Sequence, residues 1–235
     1  MSTVVSLKGV TAGYKGVPAV HDLDLSVESG EVVALLGPNG AGKTTTLLAI
    51  AGLLKPIRGE VELLGRPVDA RFPQRNAQRG LGFVPEDRGV FYQLTARENL
   101  RLGRSANRGA LDEVLEYFPA LKPILDRKAG LMSGGEQQML SLGRALVSDA
   151  QVLLIDEMSL GLAPIIVESL LGLVRRIARE TSRAVLLVEQ HVQFALETAD
   201  RAYVLRHGTL AIEGKASDLA GQPALMRESY LGEVS

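Results

Sequence analysis

The sequence predicts an α/β fold: a mostly parallel, doubly wound sheet with an antiparallel β flank near its start and a helical insertion in its middle. Three observations carry this expectation. Residues 32–36, 81–84, 152–155 and 184–188 are continuous apolar runs, as expected of parallel strands buried on both faces. Helical stretches alternate with those runs, the pattern of a sheet whose ligands sit at the carboxyl ends of its strands. Residues 4–8 and 20–27 instead alternate apolar and polar side chains, as half-buried antiparallel strands do.

In chain order, the two alternating strands are followed by the buried strand 32–36 and a helix over 43–51. A short strand over 59–64 ends at the turn Gly65-Arg66-Pro67. The buried strand 81–84 is stopped by Pro85. From about residue 95 to 150 the character becomes helical. Thr95-Ala96-Arg97-Glu98 reads as a capping box opening a helix. Residues 111–118 form a helix ended by Pro119, and 133–147 contains a third, its helical run lying over 137–146. Strands 152–155 and 184–188 then alternate with helices 165–180 and 192–198. Residues 202–206 and 209–213 pair across the turn His207-Gly208. The expectation is one domain over 1–235, with a core of 1–86 and 151–235 and a helical lobe of 87–150. Repeats and low-complexity segments are absent from the sequence.

Composition is that of an ordinary globular chain of 235 residues, 46% apolar and 23% charged. A net charge of −1 sets up no global field that would gather nucleic acid or anionic lipid. With no cysteine, disulfides and thiolate metal sites are excluded, and a reducing compartment suits the chain. The first residues hold no apolar signal core, and no apolar run approaches the ~18 residues of a membrane helix. A soluble chain is expected, with any membrane role running through a partner. One local excess exists: Arg66, Arg71, Arg75, Arg79, Arg88, Arg97, Arg101, Arg104 and Arg108 face only Asp69, Glu86, Asp87 and Glu98. It reads as a solvated surface, or as a docking or nucleic-acid face. Few aromatics interleave it, which argues against a single-strand platform.

Two glycine-rich stretches carry chemistry. Gly37-Pro38-Asn39-Gly40-Ala41-Gly42-Lys43-Thr44 fits G-x-x-x-x-G-K-[ST] between a strand and a helix. Its glycines let backbone amides wrap phosphates, Lys43 can reach the β- and γ-phosphates, and Thr44 stands where a hydroxyl binds Mg²⁺. Thr45 can add a hydrogen bond to the α-phosphate. The second stretch, Met132-Ser133-Gly134-Gly135-Glu136, opens a helix whose positive end faces whatever sits on that turn. A nucleotide would then be met from two sides. The strand 152–155 ends in Asp156-Glu157. By itself an acidic strand end is weak, since a solvated loop entry explains it equally well. With the loop at 37–44, Asp156 falls beside Mg²⁺, and Glu157 points the other way along the pleat, where it can take a proton from attacking water. His191 follows strand 184–188 on the same sheet edge and is expected to contact the γ-phosphate. His21 and His207 lie in turn-like contexts with no chemical role.

These residues together resemble the nucleotide-binding subunits of ATP-binding cassette (ABC) transporters, over essentially the whole chain. The family's Walker A matches 37–44, its signature 132–136, its Walker B 152–156 and its switch histidine His191. The resemblance implies a P-loop NTPase (RecA-like) cassette that uses ATP and Mg²⁺. It makes Glu157, His191 and Glu86 catalytic, and Thr44, Asp156 and Glu86 metal ligands. Tyr14 would stack on adenine; its other reading is a surface turn residue. ATP on one cassette would be covered by Ser133, Gly134, Gly135 and Glu136 of a second. Further implied partners are two membrane permease subunits and an extracytoplasmic solute-binding protein, with the chain held at the cytoplasmic face of the membrane and no nucleic acid bound. The segment 89–94 is the docking groove for the permeases, unless Val90, Phe91 and Leu94 are lobe core.

Departures narrow the branch. Glu86 stands where most members have Gln, Met132 and Glu136 replace Leu and Gln of the signature, and Ala163 stands where members place Asp. The lost Asp puts coupling between cassettes through that loop in doubt. Pro85-Glu86, Ser133–Gln138 as Ser-Gly-Gly-Glu-Gln-Gln, Ser159-Leu160-Gly161-Leu162-Ala163-Pro164, and Glu228-Ser229-Tyr230-Leu231-Gly232 resemble the shorter (F-type) ATPase subunit of branched-chain amino-acid (LIV-type) importers. Cassettes for urea or amides, for lipid export, or for soluble work on nucleic acid are the alternatives.

Overall fold

The computed structural model describes residues 2–103 and 110–231, the side chains of Arg227 and Leu231 excepted. Arg104, Arg108 and Gly232 therefore lie outside the described residues. The chain opens as a hairpin of β1 (Thr3–Tyr14) and β2 (Val17–Glu28), paired antiparallel. Its turn, Lys15-Gly16, has both φ angles positive, at 51° and 82°, which matches the right-handed twist of the flanking strands. Both strands run beyond the expected 4–8 and 20–27. Register shifts between Leu7 and Gly13 break the two-residue period there, so the pattern faded before the strand did. His21 lies within β2, not in a turn, and its N–H donates to the Gly208 carbonyl at 2.7 Å.

β3 (Val32–Leu36) begins a second sheet and leads into α1 (Lys43–Ala51). β4 (Arg58–Leu63) and β5 (Arg66–Pro67) return to the first, whose order is β2-β1-β4-β5. The expected turn at Gly65-Arg66-Pro67 is displaced: Leu64 and Gly65 turn at φ 51° and 70°, while Arg66 and Pro67 already pair with Leu63 and Glu62. A short helix, α2 (Pro73–Gln78), was not expected at all. It buries only Asn76, so it has no apolar stripe to show; that amide instead donates to the carbonyls of Ala51 and Asp69.

β6 (Leu81–Val84) is followed by α3 (Ala96–Arg101), α4 (Ala110–Tyr117) and α5 (Gly134–Val147), with 3₁₀ turns over Pro119–Ile124 and Ala129–Leu131. The capping box expected at Thr95 and Glu98 is present. Of the three residues left between core and groove, Val90 is buried, Leu94 is half-buried and Phe91 is exposed. β7 (Val152–Asp156), α6 (Pro164–Thr181), β8 (Ala184–Val188), α7 (Val192–Thr198), β9 (Arg201–Arg206) and β10 (Thr209–Lys215) complete the core. Two further helices, α8 (Ala216–Ala220) and α9 (Pro223–Leu231), close the chain.

The second sheet runs β10-β9-β3-β8-β7-β6 and is parallel except at β10. Its central strands are apolar throughout because they feed two cores at once, a strand sending alternate side chains to opposite faces. Val32, Ala34 and Leu36 enter the core under the helices, with Leu153, Ile155, Val185 and Leu187. Val33 and Leu35 enter the core under the antiparallel flank, with Leu154, Leu186 and α1 residues Leu47 and Ile50. The loops after β3, β6, β7 and β8 therefore leave a rigid sheet side by side. Among the described residues no helix is long and apolar enough to cross a membrane.

Candidate functional site

The loop between β3 and α1 is held against β9 and β2 with no room for side chains at two positions. A Cβ on Gly37 (φ 147°) would stand 2.3 Å from the Leu205 carbonyl oxygen, and one on Gly42 (φ 102°) 2.6 Å from Val20 Cγ2. Gly42 caps α1 without a side-chain hydrogen bond, and the helix's first turn has no acid. Its N-terminal amides thus face the loop with the positive end of the helix dipole, an arrangement suited to an anion. Lys43 is 5% exposed; its Nζ donates to the carbonyls of Gly37 (2.9 Å) and Pro38 (3.2 Å). Burial pulls this ammonium's pKa down, against the opposing pull of Glu157 and Asp156.

β7 delivers Asp156, 2% exposed, whose Oδ1 is buried with no hydrogen-bond partner. Burial pushes its carboxyl up to about 6; the charges of Glu157 and Glu86 add to the rise, while a hydrogen bond from Thr44 and the charge of Lys43 oppose it. Among the described residues no three His, Asp or Glu side chains form a ready metal cage. A buried carboxylate oxygen without a partner, beside a threonine hydroxyl, fits a hard cation that draws its other ligands from a bound phosphate and water.

Glu157 departs from the expected pleat step. The strand ends at Asp156, and Glu157 turns left-handed (φ 46°) with its N–H on the Val188 carbonyl at 2.9 Å. For a residue with a Cβ this costs ~1–2 kcal/mol, so neighbours must impose it. Its carboxylate lies 3.8 Å from Lys43 Nζ and accepts from Gln190 Nε2 at 2.6 Å. Two residues on, Ser159 donates its N–H (3.1 Å) and its hydroxyl to Glu189, which is fully buried. Burial raises the Glu189 carboxyl, and the Ser159 bonds hold it back.

One cleft of ≈ 430 Å³ gathers Tyr14, Asn39, Gly40, Gly42, Lys43, Thr44, Thr45, Glu86 and Glu157. Tyr14, 51% exposed, offers its ring from the wall. Ala19 and Gln190 also line this cleft and were not foreseen. Gln190 sits one place before the histidine that drew attention, and only the path of the chain out of β8 shows which of the two reaches Glu157. His191 is exposed, lines no part of this cleft and lies beside Phe194, ring centroids 5.9 Å apart. A larger hollow of ≈ 820 Å³, between β4 and the start of α2, holds none of the expected residues.

Ser133, Gly134, Gly135 and Glu136 line no part of their own chain's cleft. Ser133 caps α5, its hydroxyl accepting from the Glu136 N–H (3.3 Å) while the Glu136 carboxylate accepts from the Ser133 N–H (2.6 Å). Glu136 also meets Arg127 at 3.5 Å. Glu136 and the Ser133 hydroxyl thus serve the capping box, with Ser133 exposed and the two glycines half-buried at the helix start. The arginine excess is dispersed in the same way: Arg75 pairs with Asp69, Arg97 with Asp126, Arg79 reaches the Pro67 carbonyl and Arg88 the Gln137 amide.

Comparison with known proteins places these features in a wider set. A family model described as ABC transporter matches residues 20–159. The chain is 40% identical over 234 residues to the high-affinity branched-chain amino acid transport ATP-binding protein BraG of Pseudomonas aeruginosa, covering 97% of this chain and all of that one. It is 36% identical over 215 residues to a probable branched-chain amino acid transport ATP-binding protein, LivF, of Archaeoglobus fulgidus, covering 89% of this chain and 91% of that one. Among solved structures, a bacterial ABC transporter cassette described as dimeric superposes with a TM-score of 0.81 at 28% identity, over 90% of this chain and 98% of that one.

Proposed function

The chain belongs to the ABC transporter family, and on that footing we propose that it is the ATP-hydrolysing subunit of an importer of branched-chain or other hydrophobic amino acids. The observation that carries the ATPase reading is the cleft that gathers an uncapped helix start, the buried Lys43 and the carboxylate of Glu157, with the partnerless oxygen of Asp156 buried behind it beside Thr44. The solute class rests on what BraG and LivF are named for.

In this reading the amides of 37–42 and Lys43 bind the β- and γ-phosphates, and Thr45 the α-phosphate. Tyr14 stacks on adenine, worth ~1–3 kcal/mol by analogy with base–aromatic platforms. Thr44 and Asp156 hold Mg²⁺, with Glu86 as a hard oxygen donor at the cleft wall. The ion, when bound, offsets phosphate charge. Glu157 takes a proton from the water whose oxygen attacks the γ-phosphorus; the bond to the bridging oxygen breaks, and ADP and phosphate leave.

The core (1–86 and 151–235) carries this chemistry, and the lobe (87–150) presents Ser133, Gly134 and Gly135 to the ATP of a second cassette. Two cassettes facing each other complete each site in this reading, which is supported by this turn lining no part of its own cleft. Permeases dock at 89–94, where Phe91 and Tyr92 are exposed at 55% and 52%. The chain sits at the cytoplasmic face of the membrane, held there by those permeases and supplied by an extracytoplasmic solute-binding protein.

Purification from native membranes with partners retained tests the transport reading. Permeases and a second cassette should co-purify, and phosphate release in vesicles should rise several-fold with a binding protein loaded with leucine, isoleucine or valine. Stimulation only by lipid, urea or nucleic acid would replace it.

A further inference from the structure

We propose that Tyr230, on the last helix of the chain, is a positioning residue that holds the phosphate loop ready for nucleotide. The assignment rests on the ATPase reading above. Gly37 opens the loop directly after β3, and its N–H donates to the Tyr230 hydroxyl at 2.9 Å. Its carbonyl accepts from Lys43 Nζ, also at 2.9 Å. The two polar groups of one residue are thus pinned by different elements, the N–H by α9 and the carbonyl by the lysine that opens α1. Between these pins the backbone runs at φ 147°, a region that glycine alone enters freely, and the Leu205 carbonyl oxygen leaves no room for a side chain. Glycine also has the most conformational freedom to lose, so a loop that opens on it gains the most from an outside restraint.

The two pins differ in what nucleotide does to them. Lys43 is the group that engages the β- and γ-phosphates, and those anions compete with the Gly37 carbonyl for its ammonium. The Tyr230 bond falls on the other side of Gly37 and does not depend on Lys43, so it keeps the first residue of the loop in place as the lysine changes partner. The end of the chain is built to hold the ring there. Met226 and Ser229 are buried, and Tyr230 packs against the core under the helices. Its ring lines a hollow of ≈ 560 Å³ with Val192, Leu196, Leu219, Pro223 and Met226, between α7, α8 and α9. An apolar wall thus takes the ring while its polar tip meets a backbone amide, the usual way a tyrosine is placed. Through this contact the phosphate loop is tied to a helix 193 residues further along the sequence.

The test uses the full chain in its membrane complex, at a temperature where it is fully folded, with nucleotide Kd from calorimetry and ATPase kinetics measured side by side. Tyr230→Phe keeps the ring and removes the acceptor. It should raise the Kd for ATP and for ADP alike by about 3- to 10-fold, the range for one lost neutral hydrogen bond, while kcat at saturating ATP moves less than about twofold. A merely structural role would lower the fraction of active protein, hence the apparent kcat, and leave Kd unmoved. Ser229→Ala is the control: that buried hydroxyl donates to the Leu225 carbonyl within α9 at 2.7 Å, so the change perturbs the helix without touching the loop. Its Kd values should stay at those of the wild type. Wild-type Kd in Tyr230→Phe, or an equal rise in Ser229→Ala, would overturn the assignment. A wild-type complex that binds neither nucleotide would instead sink the reading beneath it, so the two failures are told apart.

Discussion

Asp156, buried beside the cleft, carries the clearest electrostatic cost of the site. Its carboxyl titrates near 6 inside the fold and near 3.8 outside it, so holding it ionised at neutral pH costs about 3 kcal/mol before any cation binds. The folded chain keeps this proton more tightly than the unfolded one. The group therefore favours folding below pH 4, and that contribution is lost as pH rises from 4 to 6. Asp156→Asn should raise the unfolding free energy of the ligand-free chain by about 1–3 kcal/mol at pH 7.5, with little difference at pH 4, and should abolish ATP hydrolysis. Denaturant titrations at the two pH values check this; equal stability at pH 7.5 would show that the burial cost is met elsewhere. The residue types of the site were legible in the sequence because phosphate and cation chemistry demand them: glycines, Lys43, Thr44, Asp156 and Glu157. Which of Gln190 and His191 reaches Glu157 was not, since that depends on the backbone path at the ends of two adjacent strands.

At the scale of elements, what was legible followed from periodicity. Apolar strands buried on both faces, the amphipathic α6 and the cap of α3 announce themselves, whereas the Ser133–Glu136 turn, read as a phosphate surface, is also the capping box of α5. The bulged half of β1, the two-residue β5 and α2 did not, because bulges break the period and short elements expose most of their residues. α9 was missed as an element, yet it reaches the site: the Tyr230 hydroxyl accepts the Gly37 N–H at 2.9 Å across 193 residues of sequence. Burial pushes the Tyr230 phenol up to about 12, so it stays protonated at any working pH. Tyr230→Phe keeps the ring and deletes the acceptor. It should cost ~1–2 kcal/mol of stability and weaken ATP binding, since the phosphate loop loses a restraint at its first glycine. Unchanged urea midpoints and ATP affinity would show that water replaces the hydroxyl without penalty. Ala163 marks the opposite case: it stands at the N-cap of the 18-residue α6 with no side-chain cap, so the loop after Glu157 is held through Ser159 and Glu189 instead.

For the whole molecule, the arrangement of the two phosphate-facing surfaces decides the account. The Lys43 loop and Glu157 share one cleft, and the Ser133 turn lies elsewhere on the same chain. Under the proposed function a single chain holds two half-sites, and a second cassette supplies the half that encloses ATP. α5, which opens at the Ser133 turn, clasps the 88–89 segment through Ser141 and Arg144 (2.6 Å each) beside the exposed Phe91. Under the proposed function, closure over ATP would be linked through these bonds to the surface proposed as the permease dock. The most direct measurement is made on the membrane complex carrying Glu157→Gln, with ATP retention, phosphate release and cassette–cassette cross-linking between Ser133 and the phosphate loop followed together. The account predicts that ATP stays bound, phosphate release falls at least ~100-fold and the cross-link between cassettes accumulates. Phosphate release at the wild-type rate, or tightly held ATP with no cross-link between cassettes, would contradict it.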